Sequence, residues 1–203
     1  MDIEILFLFI ITSISLTLTP GPDILYVLSQ SLSYGFKSGF LVSLGLVSGL
    51  FFHTVFVSLG FGFLISEHPH FFIFIKYFGS LYLIFLGVNI LLYKKKNKEI
   101  ITTQNTLFKN YSTGLIMNLV NPKVSLFFLS VFPLFLFDET LSIRFQFLIL
   151  GIIFIIQAIL IFSLVSLFSS HIGRNFFSKK INKFFRYFQP IVLFIIAILL
   201  ILL

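Results

Sequence analysis

The sequence predicts an all-α protein that crosses a membrane several times. Only 10% of its 203 residues are charged and 58% are hydrophobic, whereas a soluble domain carries about 25% charged residues. The mean hydropathy is +1.10, which is typical of a chain whose solvent is a bilayer. Its apolar runs are long enough for helices of about 20 residues, the length that a bilayer core requires.

Six segments have the length and composition of spanning helices: 5–28, 39–65, 71–93, 111–137, 145–168 and 184–203. The last is the weakest because Arg186, Gln189 and Pro190 interrupt it, so five spans are the alternative to six. The first segment is expected to stay in the mature protein. The chain begins with the acidic sequence MDIE, whereas a cleavable signal has a basic start.

We interpret residues 1–203 as one transmembrane domain made of two halves. Residues 1–93 form the first half, 94–110 a basic linker and 111–203 the second half. Each half contains three predicted spans. Because that number is odd, the halves would enter the membrane in opposite orientations, as inverted repeats.

Lysine and arginine concentrate on one predicted face of the membrane. One lies between spans 1 and 2, five between spans 3 and 4, and five between spans 5 and 6. The opposite face has only Lys76 and Arg144. The positive-inside rule therefore predicts cytoplasmic basic loops and both termini outside. We interpret the run YKKKNK as a topology anchor and expect no nucleic-acid partner.

The sequence TPGPD interrupts the first span at residues 19–23. Pro20 and Pro22 remove helical hydrogen bonds to the carbonyls of Leu16 and Leu18. Gly21 lets the backbone leave helical geometry between them. The sequence thus predicts a break in this helix.

A carboxylate follows this break. A charge at the bilayer centre costs about 2.5–3.5 kcal/mol on insertion scales, so the aspartate should face the bundle interior. Polar residues at 3–4 spacing predict that inward face: Thr12, Ser15, Thr19, Asp23, Tyr26 and Gln30. The alternative is a proline kink with a structural carboxylate.

A second interruption lies in the fourth span, at Asn118, Asn121, Pro122 and Lys123. Interrupted helices at corresponding positions of inverted halves indicate a transporter's central site. An aspartate and a lysine at similar depth would hold the ammonium and carboxylate of an amino acid; alternatively, they only neutralise each other. On an unbroken helix Lys123 points away from the two asparagines, so the hypothesis requires the helix to unwind near the proline.

Further polar residues are candidates for lining a cavity: Ser15, Tyr26, His53, Tyr82, Asn89 and Gln157. The alternative for His53 is a hydrogen-bonded packing residue. The glycine pairs Gly35/Gly39 and Gly45/Gly49 allow close helix approach, within the chain first and in a homodimer second.

Sequences typical of enzymes are absent. The chain has no cysteine, no P-loop and no G-x-S-x-G elbow. We interpret EHPH, at residues 67–70, as a turn and not as a metal site. We therefore expect no catalytic residue, no cofactor and no metal, and an ion gradient or a separate subunit as the energy source.

Four motifs together resemble the lysine exporter and threonine/homoserine efflux family of bacterial inner-membrane proteins. They are TPGPD at 19–23, the glycine-spaced second span, KYFGSLYLIFLG at 76–87 and GLIMNLVNPKVSLFFLSVFPLF at 114–135. The resemblance covers nearly the whole chain. It implies export of amino acids or related small metabolites from the cytoplasm, driven by proton exchange.

The resemblance also implies roles for residues. Asp23 becomes the candidate site for a proton or the substrate amine, and Asn118, Asn121 and Lys123 become candidate substrate contacts. The candidate site as a whole comprises Thr19, Pro20, Gly21, Pro22, Asp23, Asn118, Asn121, Pro122 and Lys123. The rival hypothesis is a non-transporting membrane scaffold or assembly protein in which the charge pair only locks the two halves together.

Overall fold

The computed structural model describes residues 2–19, 21–61, 69–92 and 106–172, and part of 190–201. Pro20 and the EHPH turn's first two residues therefore lie outside the described residues, as does most of the predicted last span. The described residues form helices and short connections and contain no strand. This confirms the predicted all-α class.

Seven α-helices follow one another in the described ranges up to residue 172. They are α1 (Ile3–Leu18), α2 (Pro22–Tyr34), α3 (Phe36–Phe56), α4 (Pro69–Leu92), α5 (Leu107–Leu119), α6 (Pro122–Leu126) and α7 (Ile143–Ile172). A π-helical turn, Val57–Phe61, extends α3. Another, Phe127–Val131, extends α6 and leads into a 3₁₀ turn, Phe132–Phe135. The described residues between 190 and 201 are helical.

Two of these helical stretches are each long and apolar enough to cross a membrane, Phe36–Gly60 and Ile143–His171. Two bent pairs meet the same criterion when each counts as one span: Ile3–Leu18 with Pro22–Tyr34, and Leu107–Leu119 with Pro122–Phe135. The described part of the chain thus contains two to four candidate spans. A helix, α4, also lies where the third span is predicted. The arrangement as six spans in inverted repeats stays a prediction.

The start of α1 is tied to the loop that precedes α7. The Asp2 side chain caps α1 by accepting a hydrogen bond from the backbone N–H of Glu4, at 3.0 Å. The backbone N–H of Asp2 donates to the carbonyl oxygen of Phe137, at 2.8 Å. The N-terminus and this loop therefore lie at the same end of the bundle.

The side chain of Gln146 orders that loop. Its Oε1 accepts from the backbone N–H groups of Phe137 and Asp138, and its Nε2 donates to the carbonyls of Asp138 and Leu141. The hydroxyl of Thr140 donates to the Asp138 carboxylate, at 2.6 Å, and holds the pKa of that carboxyl well below its usual range. Buried Gln146 thus replaces the backbone pairing that the loop lacks.

Glycines set the close packing of α3 on its neighbours. A Cβ on Gly45 would overlap the carbonyl oxygen of Tyr111 in α5, and one on Gly114 would overlap that of Val42 in α3. A Cβ on Gly39 would overlap the hydroxyl oxygens of Ser31 in α2 and Ser166 in α7. The predicted close packing within the chain is confirmed for Gly39, Gly45 and Gly49. It is wrong for Gly35, where a Cβ would meet nothing within 4 Å and the positive φ of 82° is what favours glycine.

The buried face of α1 differs from the predicted polar stripe. Ser13 and Thr17 are buried, whereas Thr12 and Ser15 are half-buried and donate to backbone carbonyls one turn earlier. The stripe assumed one continuous helix from residue 12 to residue 30. Because α1 and α2 are bent by 58° relative to each other, helical spacing does not carry over the break.

Candidate functional site

The first break separates α1 from α2 where the sequence predicts it. Helix α1 ends at Leu18, and Thr19 has an extended backbone, with φ −63° and ψ 117°. Gly21 is extended as well, with φ −123° and ψ −177°, and Pro22 is the first residue of α2. Proline is tolerated at this position because a first-turn N–H has no partner within the helix.

The second break separates α5 from α6, which are bent by 47°. Helix α5 ends at Leu119, and Asn121 has an extended backbone with φ −77° and ψ 106°. The Oδ1 of Asn121 caps α6 by accepting from the backbone N–H of Lys123, at 3.1 Å. The helix is therefore unwound at the proline, as the position of Lys123 required.

The two breaks are built alike. In each, an extended residue is followed by a proline that opens a short helix and then by a charged residue in its first turn. The first break presents Asp23 and the second presents Lys123. Both charged residues are buried, with 3% and 4% of their surface exposed.

These two side chains form an ion pair between the breaks. The Nζ of Lys123 lies 3.4 Å from Oδ2 of Asp23. It also donates to the carbonyl oxygens of Thr19, at 3.2 Å, and Leu16, at 3.4 Å. An ammonium group has three N–H donors, so each donor here has an acceptor. The Leu16 carbonyl is one that a proline at position 20 cannot pair with.

Helix ends add to the electrostatics of the pair. Asp23 lies in the first turn of α2, where the helix dipole favours a negative charge, and the ammonium of Lys123 lies at the end of α1, where it favours a positive one. Removing one partner of a buried ion pair typically costs about 3–5 kcal/mol because the other charge is left uncompensated. The loss of either charge alone should therefore destabilise the contact between the first and second halves of the chain.

Unused hydrogen-bonding atoms lie on the pair itself and on the two asparagines of the second break. Within the described part of the chain, Oδ1 of Asp23, Oδ1 of Asn118 and Nδ2 of Asn121 are buried and have no hydrogen-bond partner. An unsatisfied buried polar group costs about 1–3 kcal/mol, so each of these needs an explanation. The two oxygen acceptors could bind an ammonium group, and the nitrogen donor could bind a carboxylate.

Two glycines make room at the site. A Cβ on Gly21 would lie 2.5 Å from Oδ1 of Asp23 and 3.2 Å from Nζ of Lys123. A Cβ on Gly49 of α3 would lie 2.6 Å from Cβ of Asn118. Any larger residue at position 21 or 49 would displace these polar groups.

His53 packs beside the second break. Its Nε2 lies 3.4 Å from the carbonyl oxygen of Asn118, which Pro122 cannot pair with and which also accepts from the backbone N–H of Asn121, at 3.0 Å. Its ring stacks on Phe128, with centroids 5.4 Å apart and planes at 24°. This is the geometry expected of a hydrogen-bonded packing histidine.

The other candidate cavity residues are more dispersed. Nε2 of Gln157 donates to the hydroxyl of Thr17, at 2.9 Å, and so joins α7 to α1. Ser15 donates to a carbonyl of its own helix, and Tyr26 is half-buried on α2. The side chains of Tyr82 and Asn89, in α4, lie outside the described part of the structure.

Sequence reasoning missed Thr17 and Asn110. Thr17 is 5% exposed and pairs with Gln157, and Asn110 is 0% exposed at the start of α5. Asn110 could have been found from its spacing. Together with Gly114 and Asn118 it makes an i, i+4 series, which places all three on one helix face.

Comparisons with known proteins identify relatives along nearly the whole chain. A protein of Vibrio cholerae, named only as an uncharacterized membrane protein, is 32% identical over 195 residues, which cover 91% of this chain and 92% of that protein. An uncharacterized membrane protein of Bacillus subtilis is 29% identical over 188 residues, with coverages of 88% and 89%. A leucine efflux protein of Salmonella choleraesuis is 32% identical over 133 residues, with coverages of 63% and 61%.

No solved structure matches this chain. The model of one family, described as LysE type translocator, matches residues 14–203. That range includes both helix breaks and both members of the ion pair, and the match confirms the resemblance drawn from the four motifs. The chain is a multi-pass membrane protein and belongs to the LysE type translocator family.

Proposed function

We propose that this protein is a secondary transporter that exports neutral amino acids from the cytoplasm, with the Asp23–Lys123 pair as its substrate site. The observation that carries the proposal is the buried ion pair at the meeting point of two broken helices, with polar atoms to spare around it. Family membership and a relative named as a leucine efflux protein support an amino acid as the substrate.

The charges of the site favour a zwitterion. Asp23 and Lys123 are the buried charged side chains among the described residues, and they sum to zero. A neutral amino acid also sums to zero, so its binding adds no net charge to a low-dielectric site. A dibasic amino acid would add an uncompensated charge, which is costly at membrane depth. Leucine, threonine and homoserine therefore fit this site better than lysine.

In this account the ion pair is the closed, empty form of the site. Each side chain takes the place of one end of the substrate. The substrate ammonium replaces Nζ of Lys123 at Asp23, and the substrate carboxylate binds Lys123. The free Oδ1 of Asp23 and Oδ1 of Asn118 accept from the ammonium, and Nδ2 of Asn121 donates to the carboxylate.

Transport then needs two arrangements of the same site. Broken helices of opposite halves that meet at one site are the arrangement through which transporters alternate access. The substrate biases the equilibrium between arrangements only through its different affinity for each. We propose that Asp23 takes a proton on the outer side when the amine leaves and releases it on the cytoplasmic side, where Asp23 re-forms the pair with Lys123 or binds the next amine. Export is then coupled to proton uptake.

The proposed location is the bacterial cytoplasmic membrane, with the basic loops in the cytoplasm and both termini outside. Its support is the unequal distribution of lysine and arginine between alternate loops. Because the chain has no cysteine, single cysteines introduced into a basic loop and at the N-terminus would report sidedness without background.

A non-transporting scaffold is the second candidate. It is favoured by one observation: each N–H of the Lys123 ammonium already has an acceptor in the closed pair. It leaves the three unpartnered atoms around the pair without a role, however, which is why we prefer the transporter.

Counterflow in proteoliposomes tests the proposal. Vesicles are loaded in turn with lysine, threonine, homoserine, leucine and cysteine, at two pH gradients, and uptake of the same labelled amino acid is followed. We expect saturable exchange of a neutral amino acid at a rate that responds to the pH gradient. No exchange of any of them, by protein shown to be folded, would favour the scaffold.

A further inference from the structure

Two amide side chains are buried without hydrogen bonds away from the ion pair. Gln30 in α2 is 1% exposed and Asn110 in α5 is 0% exposed. Neither the oxygen nor the nitrogen of either amide has a partner within the described part of the structure. Buried amides are nearly always paired with protein or water, so four such unpaired atoms point to something that binds them.

Gln30 lies on the same face of α2 as Asp23, two turns further along the helix. Seven residues are two helical turns within about 20°, which puts the two side chains on the same side and about 10 Å apart along the axis. The next residue, Ser31, contacts Gly39 of α3, so Gln30 lies at the depth of that glycine. Asp23, by contrast, lies with the ion pair.

Asn110 lies on α5 one turn before Gly114, which packs against Val42 of α3, and so lies close to the depth of Gln30. Its neighbour Tyr111 contacts Gly45 of α3, whereas Asn118, seven residues after Tyr111, contacts Gly49. These contacts also show that α3 and α5 run in the same direction. We call the end of the bundle where α5 begins the linker side, because the 94–110 linker leads into α5 there.

Along α3, Gly39 lies beside Ser31 and so near the depth of both amides, whereas Gly49 lies beside Asn118 of the second break. At 1.5 Å per residue, these two levels are about 15 Å apart. On the other side of the pair, His53 stacks on Phe128, which packs against Phe132 and Phe154. Unused polar atoms thus lead from the ion pair toward the linker side, and aromatic rings close the opposite side.

We propose that Gln30 and Asn110 line a passage through which the polar end of the amino acid moves between the linker side and the Asp23–Lys123 pair, with water filling it when no substrate is present. The inference rests on the proposed function. An amide suits this task because it accepts from an ammonium and donates to a carboxylate, yet carries no charge that would hold the substrate.

Cysteine labelling tests the passage without measuring transport. The chain has no cysteine, so Gln30→Cys and Asn110→Cys each place a single thiol in it. The control is Ser43→Cys, since Ser43 is also 0% exposed, lies at an intermediate depth on α3 and donates to the Gly39 carbonyl of its own helix. The probe is a cationic, water-soluble methanethiosulfonate added to the protein in proteoliposomes.

We expect both passage thiols to react at least ten times faster than the thiol at position 43, and leucine to slow them. Equal rates at the three positions would overturn the proposal. The same experiment is informative even if wild-type protein shows no counterflow, a result that would count against the proposed function and not against a hydrated passage.

Transport by apolar variants gives the second test. Gln30→Met and Asn110→Leu should lower the rate of leucine counterflow at least ten-fold. Their melting temperatures should differ from that of wild type by no more than the melting temperature of the Ser43→Ala control does. Gln30→Asn should retain most of the rate, because one more water spans the missing methylene. Normal counterflow in both apolar variants, with wild-type protein active, would show that the amides serve packing alone.

Discussion

The Nζ of Lys123 lies 3.4 Å from Oδ2 of Asp23 and joins the first broken helix of the chain to the second. One hundred residues separate the two in sequence, and each follows a proline that opens a short helix. This contact thus has both a structural role between the two halves and a role in the proposed chemistry. Variants that separate those two roles are the most informative.

Neutralising one member of the pair should damage stability and transport, whereas neutralising both should damage transport alone. Asp23→Asn leaves Lys123 uncompensated and is expected to destabilise the protein by about 3 kcal/mol. Asp23→Asn with Lys123→Met removes both charges, so its unfolding midpoint should return close to that of wild type. The unfolding midpoint is measured on detergent-solubilised protein, and the transport rate is measured by counterflow in proteoliposomes.

The scaffold hypothesis makes a different prediction for the same variants. It expects stability to be all that the pair supplies, and expects the exchange Asp23→Lys with Lys123→Asp to restore whatever is lost. Counterflow at the wild-type rate in the doubly neutral protein would contradict our assignment of the substrate site.

A methyl group at position 21 should disturb the site directly. In Gly21→Ala the new Cβ would lie 2.5 Å from Oδ1 of Asp23, so the carboxylate must move. The backbone at this position, with φ −123°, suits alanine, so the cost is steric. We expect a loss of stability of about 1–3 kcal/mol and a raised KM for counterflow.

Gly60→Ala is the matched control, because a Cβ there meets nothing within 4 Å. Its stability should stay within about 0.5 kcal/mol of wild type. Equal KM values for the two variants would contradict a substrate site beside Gly21.

Packing of α3 on α5 should fail when Gly45 is enlarged. A Cβ at this position would overlap the backbone carbonyl of Tyr111, which cannot move as a side chain does. We expect Gly45→Ala to cost about 3 kcal/mol, at the upper end for overpacking. The thermal midpoint in detergent, compared with that of Gly60→Ala, measures the cost; equal midpoints would show that the helices separate easily.

Acid should weaken the loop before α7 only at low pH. The Thr140 hydroxyl holds the pKa of Asp138 below its usual range. The carboxylate therefore stabilises the fold at any pH above the pKa of Asp in the unfolded chain, about 3.9, and this contribution is lost as the pH falls below that value. Wild type and Asp138→Asn should therefore differ in melting temperature by a constant amount from pH 5 to 8 and converge below about pH 4. A difference that changed between pH 5 and 8 would contradict the depressed pKa.

Much of this architecture was predictable because the bilayer restricts it. Proline removes helical hydrogen bonds, and Gly21 between two prolines lets the backbone leave helical geometry, so both breaks could be placed to within a residue or two. Charged residues at membrane depth need a partner, so Asp23 and Lys123 could be proposed as a pair before any coordinates.

What the sequence could not predict is how the segments turn at the breaks. The polar stripe through Thr12 and Ser15 was placed on the wrong face of α1 because periodicity carries no information across a bend of 58°. The same bends bring the Leu16 and Thr19 carbonyls to Lys123. Asn110, by contrast, was predictable from its spacing with Gly114 and Asn118, and it was missed because it lies at the end of the predicted linker.

The measurement that tests the central claim most directly is competition for leucine counterflow by the two halves of the zwitterion. Leucinamide keeps the ammonium and lacks the carboxylate, and N-acetylleucine keeps the carboxylate and lacks the ammonium. If Asp23 and Lys123 each bind one end of the substrate, unlabelled leucine should inhibit uptake of labelled leucine at least ten times more strongly than either analogue. Inhibition by one analogue as strong as that by leucine would show that only one charge of the pair contacts the substrate, and would contradict the account.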